Sequence, residues 1–110
     1  MARDYLSGFE QIVLAAVLQT HGDAYGVTIH RAIKDRTRRD YSFGAIYATL
    51  DRLEAKGFVS SRERPPTPGR GGRPRRLFTV TANGQRLFNQ SRQAMERMWA
   101  GLTMPAGARA

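Results

Sequence analysis

The sequence predicts an α+β fold that is mainly α-helical, with three short helices, a β-hairpin and a long final helix. Three observations support this prediction. Residues that cap and stop helices stand at regular intervals, and apolar residues recur at helical spacing between them. A stretch rich in proline, glycine and arginine separates two short runs of strand-forming residues. The 110 residues suffice for one domain, and a hydrophobic fraction of 41% is enough for a compact core.

The first helix is predicted to follow Ser7, to reach about His21 and to stop at Gly22. Ser7 and Glu10 have the spacing of a capping box, in which each side chain binds the other residue's backbone amide. The apolar residues that follow cover nearly the whole circumference of the helix. In so small a protein, we expect a partner chain to bury part of it.

The second and third predicted helices are separated only by a short turn. The second is expected over residues 24–37 with Asp23 as its N-cap, and the third over residues 43–56 with Ser42 as its N-cap. Two helices connected in this way are a candidate helix-turn-helix, which is a weak signal alone. The core stripe of the third helix is predicted to consist of Phe43, Ile46, Leu50 and Leu53.

A basic hairpin is predicted directly after the third helix. Residues 58–62 and 75–81 have the character of strands, and the stretch between them holds four of the chain's five prolines, too many breakers for a two-residue turn. From Arg62 to Arg76 there are six arginines and one glutamate, a local balance of +5. The order of elements is therefore that of a winged helix-turn-helix, with the wing at about residues 58–81.

The last helix is predicted over residues 82–102, with Thr81 as its N-cap. Its apolar stripe is longer than a three-helix core and one hairpin need, so its far end is expected to meet a partner chain. The predicted organisation is a winged helix-turn-helix DNA-binding region over residues 1–81, a dimerisation helix over residues 82–102 and a flexible tail over residues 103–110.

The charge of the chain indicates a polyanionic partner. Lysine and arginine together number 18 against 9 acidic residues, a net charge of +9. Arginine dominates, and its planar guanidinium suits phosphates and guanine edges. Because this charge is concentrated in the wing, double-stranded DNA is favoured over a membrane surface. The absence of cysteine, of a signal-like apolar stretch and of a spanning segment favours a cytoplasmic protein without membrane partners.

Three segments in order resemble the PadR family of winged-helix regulators. AYGVTI at 24–29 is similar to the family's start of helix 2, and GAIYATLDRLEAKGFV at 44–59 to its recognition helix and wing entry. GGRPRRLFTVTANG at 71–84 is similar to its second wing strand and the start of its last helix, with Phe78 where the family usually has tyrosine. The resemblance spans roughly residues 6–102, and the single C-terminal helix is like that of the compact subfamily. It implies a homodimeric transcriptional repressor, often released by a small molecule, whose C-terminal helix packs against the partner's N-terminal region.

The candidate DNA-binding residues lie on the third helix and on the wing. Successive residues of a helix are rotated by about 100°, so the residues of the third helix that point away from the core are mostly small. The helix can therefore lie deep in a major groove, but it offers few groups that read bases. The family pattern implies that the hydroxyl of Tyr47 contacts phosphate; a packed aromatic residue is the alternative. Solvated side chains are the alternative for the arginines. The candidates are Ser42, Ala45, Tyr47, Thr49 and Arg52 on the helix and Arg70, Arg73 and Arg75 on the wing.

The last helix supplies candidates for a dimer interface, which could also line a pocket for a flat apolar inducer. Ordinary interface packing is the alternative for these residues. The two histidines lie on different helices without clustered ligands, so no metal or cofactor is expected. No nucleophile has an evident base partner, so no catalytic residue and no enzyme is predicted. The interface candidates are Phe88, Met95, Met98 and Trp99.

Two other functions stay open at this point. The few base-reading groups are compatible with a non-specific architectural nucleic-acid binder. A winged helix can also serve as a protein-interaction module, although the strongly basic wing favours DNA.

Overall fold

A computed structural model describes residues 5–66 and 73–107. The two strands pair antiparallel, with Val59 opposite Val80 and Arg64 opposite Arg75. The predicted mainly α-helical α+β winged helix-turn-helix is confirmed. Its elements are α1 (Gly8–Gln19), α2 (Gly26–Thr37), α3 (Phe43–Ala55), β1 (Val59–Arg64), β2 (Arg75–Val80) and α4 (Ala82–Trp99).

Three helices begin at the predicted caps. The Ser7 hydroxyl accepts from the amide of Glu10 at 3.2 Å, and the Glu10 carboxylate accepts from the amide of Ser7 at 2.8 Å. The Ser42 hydroxyl caps α3 by accepting from the Ala45 amide, and the Thr81 hydroxyl caps α4 by accepting from the Gly84 amide. Each of these caps satisfies a backbone donor that the helix cannot satisfy itself.

The predicted N-cap of α2, Asp23, is wrong. Tyr25 occupies that position with an extended backbone, and the helix begins at Gly26. The hydroxyl of Thr28 accepts from the Tyr25 amide at 3.0 Å and donates to the carbonyl of Asp23 at 2.6 Å. A Cβ atom on Gly26 would overlap the hydroxyl of Tyr47, so α3 packs closely against the first residue of α2.

The core lies where α1, α2 and α3 meet the hairpin. The amide of Phe78 donates to the carbonyl of Ala24 at 2.8 Å, which attaches β2 to the segment before α2. The predicted core position of Phe43 is wrong, because its side chain is 44% exposed and its ring stacks on His30 at a centroid distance of 4.3 Å. Side chains at most 2% exposed include Val13, Leu14, Ile29, Ile46, Leu50, Leu53, Val59 and Phe78.

The two halves of α4 differ in burial. In the first half, Gly84 lies so close to the carbonyl of Phe58 that a Cβ atom would overlap it. The buried hydroxyl of Ser91 accepts from the Leu6 amide at 2.8 Å, which attaches the helix to the residues before α1. Beyond Ser91 the large side chains are exposed, and the helix ends at Trp99 although it was predicted to continue to residue 102.

Candidate nucleic-acid interface

The outer side of α3 is exposed and narrow. Ala45, Ala48 and Arg52 are all exposed, as the helical periodicity predicts, and Gly44 lies beside them. Ser42 is exposed at the start of the helix, where its hydroxyl oxygen accepts from the Ala45 amide at 3.1 Å while its own hydrogen can still be donated. The small side chains leave the helix backbone accessible to a partner.

Thr49 is placed differently from its prediction as a DNA-facing residue. It is 1% exposed, because it follows Ile46 by three residues and precedes Leu53 by four, which puts all three on one face. Its hydroxyl accepts from the Arg52 guanidinium at 3.1 Å. Thr49 therefore does not present its hydroxyl to a base, and it orients Arg52 instead.

Tyr47 lies on the other flank of α3 and is half-buried against the core. Its hydroxyl reaches the first residue of α2, Gly26, at a contact that leaves no room for a Cβ atom. The ring therefore packs against the core, while its hydroxyl lies beside the start of α2.

Arg76 joins the wing to α3, a connection that the sequence prediction missed. Its guanidinium donates to Asp51 at 3.0 Å, to Glu54 at 2.5 Å and to Ser61 at 3.2 Å. The Ser61 hydroxyl in turn donates to Glu54 at 2.8 Å. The hydrogen bond from Ser61, together with Arg76, holds the pKa of Glu54 below its ordinary value of 4.5 against the opposing effect of burial. The guanidinium of Arg76 is therefore engaged within the protein.

Two further wing arginines contact the loop before α2. The guanidinium of Arg75 lies over the ring of Tyr25, 4.4 Å from its centroid. Arg64, the cross-strand neighbour of Arg75, lies 3.7 Å from Asp23. Both arginines stay exposed, and stacking on a ring leaves the edge of the Arg75 guanidinium able to donate hydrogen bonds.

The wing contains three further arginines, Arg62, Arg70 and Arg73. Arg62 and Arg73 are exposed, and neither has an acidic partner within ion-pair distance in the described part of the chain. Arg70, a predicted wing-tip residue, lies outside the described residues. The α3–wing face is defined here as Ser42, Ala45, Ala48, Arg52, Arg62, Arg73 and Arg75.

The predicted interface residues of α4 do not form one group. Phe88 is half-buried against the core of its own chain. Met98 is 78% exposed and Trp99 53% exposed, with Met95 and Leu102 also exposed. We call Met95, Met98 and Trp99, together with Leu102 just after the end of the helix, the α4 patch. Exposed apolar side chains that lie together are typical of interaction surfaces. An apolar cleft of about 260 Å³ opens elsewhere, between α1 and α2 beside Ile12 and Ile33.

The described residues hold no group of three or more histidine, cysteine, aspartate or glutamate side chains that could bind a metal ion. Within the same residues, no helix is both long and apolar enough to cross a membrane.

Three packed helices followed by a basic two-stranded wing define a winged helix-turn-helix protein of the DNA-binding regulator class. Residues 13–90 match the Transcriptional regulator PadR-like family. Because the match spans well over half of the 110 residues, the chain belongs to that family.

Solved structures show the same fold at low sequence identity. A transcriptional regulator from Clostridium thermocellum, Cth-833, is 21% identical with a TM-score of 0.67, covering 84% of this chain and 87% of that one. A PadR-family transcriptional regulator from Eggerthella lenta is 21% identical with a TM-score of 0.68, covering 86% and 77%. The PcaV transcriptional regulator from Streptomyces coelicolor, solved with its natural ligand, is 20% identical with a TM-score of 0.63, covering 94% and 67%. No curated protein matches this chain.

Proposed function

We propose that this protein is a sequence-specific transcriptional repressor that binds double-stranded DNA as a homodimer. The observation that carries the proposal is the distribution of ion pairs around the α3–wing face. The acids of α3, Asp51 and Glu54, are both engaged by Arg76. Arg52 and Arg73 stay exposed without an acidic partner among the described residues. The surface that remains is positive, which favours binding to a phosphate backbone.

In this proposal, α3 lies in the major groove. The exposed Gly44, Ala45 and Ala48 let the helix approach the base edges, and Arg52 is the long cation on the same side. A guanidinium can bind O6 and N7 of guanine together, and the hydrogen bond to Thr49 limits the positions that Arg52 samples. With one such base reader per chain, phosphate contacts and DNA shape contribute much of the affinity.

The wing and the flank of α3 supply the phosphate contacts. Arg73, and Arg70 three residues earlier in sequence, enter or border the minor groove, where arginine is favoured. Arg75 and the hydroxyl of Tyr47 both lie close to the start of α2, at Tyr25 and Gly26. In this proposal they contact the same stretch of the DNA phosphate backbone. The network around Arg76 fixes the wing relative to α3, so the two elements bind as a unit.

The α4 patch is the proposed dimer contact, together with the partner's N-terminal region. Burial of its exposed methionines and Trp99 in a dimer interface would remove apolar surface from water and so stabilise the dimer, while few polar groups lose their hydration. A two-fold dimer presents two α3 helices to half-sites about one DNA turn, roughly 34 Å, apart. A flat apolar ligand lodged beside Met95, Met98 and Trp99 would change that spacing and release the repressor; methionine-rich walls accommodate such ligands.

The experiment is a fluorescence-anisotropy titration at two salt concentrations, comparing a duplex from the protein's own upstream region with a random duplex. A sequence-specific repressor binds its operator about 10³-fold or more tightly than random DNA. Equal, salt-sensitive binding to both duplexes, followed by no enrichment in a selection from random sequences, supports the architectural binder instead. The scarcity of base-reading groups on α3 makes that second candidate worth testing. Absence of binding to any duplex contradicts both.

A further inference from the structure

Arg38 ends α2 in a left-handed backbone conformation, with φ of 63° and ψ of 21°. It is the one residue other than glycine with positive φ in the described part of the chain. The ends of α1 and α3 are followed by glycines with positive φ, Gly22 at 88° and Gly57 at 82°. Glycine is the usual residue in this conformation because a Cβ atom disfavours it. The chain therefore places an arginine where its own other helices use glycine.

The turn does not need the side chain of Arg38 to hold its shape. The amide of Arg38 donates to the carbonyl of Lys34 at 2.9 Å, and the amide of Arg39 donates to the hydroxyl of Thr37 at 3.2 Å. Later in the turn, Asp40 lies 2.9 Å from His30 and 3.5 Å from Lys34. These contacts involve backbone atoms and neighbouring side chains, so a glycine at position 38 would keep the same turn with less strain.

The charge of Arg38 also has no evident structural use. Its side chain is exposed, and within the described residues no acidic group lies at ion-pair distance from Arg38 or Arg39. Asp40, the acid of this turn, is engaged by His30 and Lys34. A cation near a helix C-terminus is favourable, but Lys34 and Arg36 already stand in the last turn of α2.

The position of Arg38 relative to α3 suggests a use. Arg38 precedes Ser42 by four residues, so it lies within about 14 Å of the start of α3. A major groove is about 12 Å wide, so a helix within it brings the preceding turn to the phosphates at one edge. The wing is fixed by Arg76 to Asp51 and Glu54, near the other end of α3.

We propose that the turn between α2 and α3 is a second phosphate-binding element, in which Arg38, next to Arg39, contacts the DNA backbone. This inference rests on the proposed function, since it needs α3 in the groove. It extends that function by assigning the turn a sequence-independent part of the affinity, separate from that of the wing.

The test is to replace Arg38 by glycine, which removes the charge and the strain together, and to measure both melting temperature and DNA binding. Arg38→Gly is expected to melt at an equal or higher temperature, by up to about 4–8 °C. It is expected to bind operator and random duplexes alike about three- to tenfold more weakly. The salt slope, which is the slope of the logarithm of the binding constant against the logarithm of the salt concentration, is expected to become less steep by about 0.9 per chain and about two per dimer. Arg38→Lys keeps the charge and is expected to keep most of the slope.

Arg92→Gln, which removes one exposed charge from α4, is the matched control for net charge. If Arg38→Gly melts higher but keeps the affinity and the slope of the unmodified protein, the inference is overturned and the proposed function stands. If Arg38→Gly melts lower, the arginine has a structural role and the inference also fails. If the unmodified protein shows no salt-dependent binding to any duplex, the proposed function fails first, so the two failures are distinguishable.

Discussion

Arg76 in the second wing strand donates to the carboxylate of Glu54 on α3 at 2.5 Å. The same guanidinium binds Asp51, so one cation pairs with both acids of the helix and fixes the wing beside it. The pair is partly exposed, with 41% of the Arg76 side chain and 32% of the Glu54 side chain accessible to solvent. Its contribution to stability is therefore small, about 1 kcal/mol or less, and its main effect is on wing placement and local charge.

Arg76→Gln is expected to weaken DNA binding much more than folding. The substitution leaves Asp51 and Glu54 without their cation next to the proposed phosphate positions, and like charges repel. We expect at least a tenfold loss of affinity with a melting temperature lowered by only a few degrees. Arg92→Gln controls for the net charge, and the double variant Arg76→Gln with Glu54→Gln is expected to recover part of the affinity. A single variant that binds DNA normally would contradict the role of Arg76.

The lowered pKa of Glu54 predicts an acid-dependent loss of stability. The Ser61 hydrogen bond and Arg76 stabilise the ionised form in the folded chain. Because the folded pKa lies below the ordinary value of 4.5, this stabilisation is complete above about pH 4.5. It is lost as the pH falls through the folded pKa. Urea unfolding between pH 3 and 7 is expected to show a shallower acid decline for Glu54→Gln than for the unmodified protein. Parallel declines would exclude this carboxylate as a source of the pH dependence.

Gly26 and Tyr47 are expected to be coupled. A methyl group on Gly26 overlaps the Tyr47 hydroxyl, so Gly26→Ala should cost about 1–3 kcal/mol of unfolding free energy. Tyr47→Phe removes the overlapping oxygen and should recover part of that cost in the double variant, which a double-mutant cycle measures. Additive effects would mean that the two residues do not touch. Tyr47→Phe alone also tests the proposed phosphate contact, because it should lower DNA affinity while leaving the melting temperature nearly unchanged.

Arg52 and Thr49 are expected to affect sequence discrimination unequally. Arg52→Ala removes the proposed guanine contact and should reduce the preference for the operator over single-base variants by about 1–3 kcal/mol at one position. Thr49→Val keeps the buried shape but removes the oxygen that accepts from Arg52, so its effect should be smaller and in the same direction. Competition titrations against a panel of operator variants measure both. If Arg52→Ala leaves the preferences intact, α3 does not read bases through this residue.

Local signals in the sequence predicted the helix starts at Ser7, Ser42 and Thr81, because a cap depends on residues only three positions apart. The start of α2 was mispredicted because the Thr28 hydroxyl, and not the Asp23 side chain, binds the backbone at the start of the helix. Periodicity found most of the α3 core but placed Phe43 inside it. The actual stripe includes Thr49, while Phe43 stacks on His30 from another helix.

The contact between Arg76 and Glu54 spans 22 residues, and no local pattern specifies it. One signal was present: two acids three residues apart on a helix predicted to face DNA need a cation. The basic strand that follows the helix in sequence is a source of that cation. The wing arginines were predicted from composition, which does not distinguish the engaged Arg76 from Arg73, which has no acidic partner among the described residues.

Trp99→Ala is expected to weaken the proposed dimer. In the single chain, Trp99 and Met98 are exposed at the far end of α4, and a large aromatic side chain buried at an interface often contributes 2 kcal/mol or more. That corresponds to a dimer dissociation constant raised by about 30-fold, measurable by sedimentation velocity across a concentration series. Val27→Ala, which shortens an exposed apolar side chain on α2, is the control.

Since two α3 helices must bind together, DNA affinity should fall with dimerisation and recover at high protein concentration. A dimer of unchanged affinity would place the interface elsewhere, and the apolar cleft between α1 and α2 would then be the surface to test.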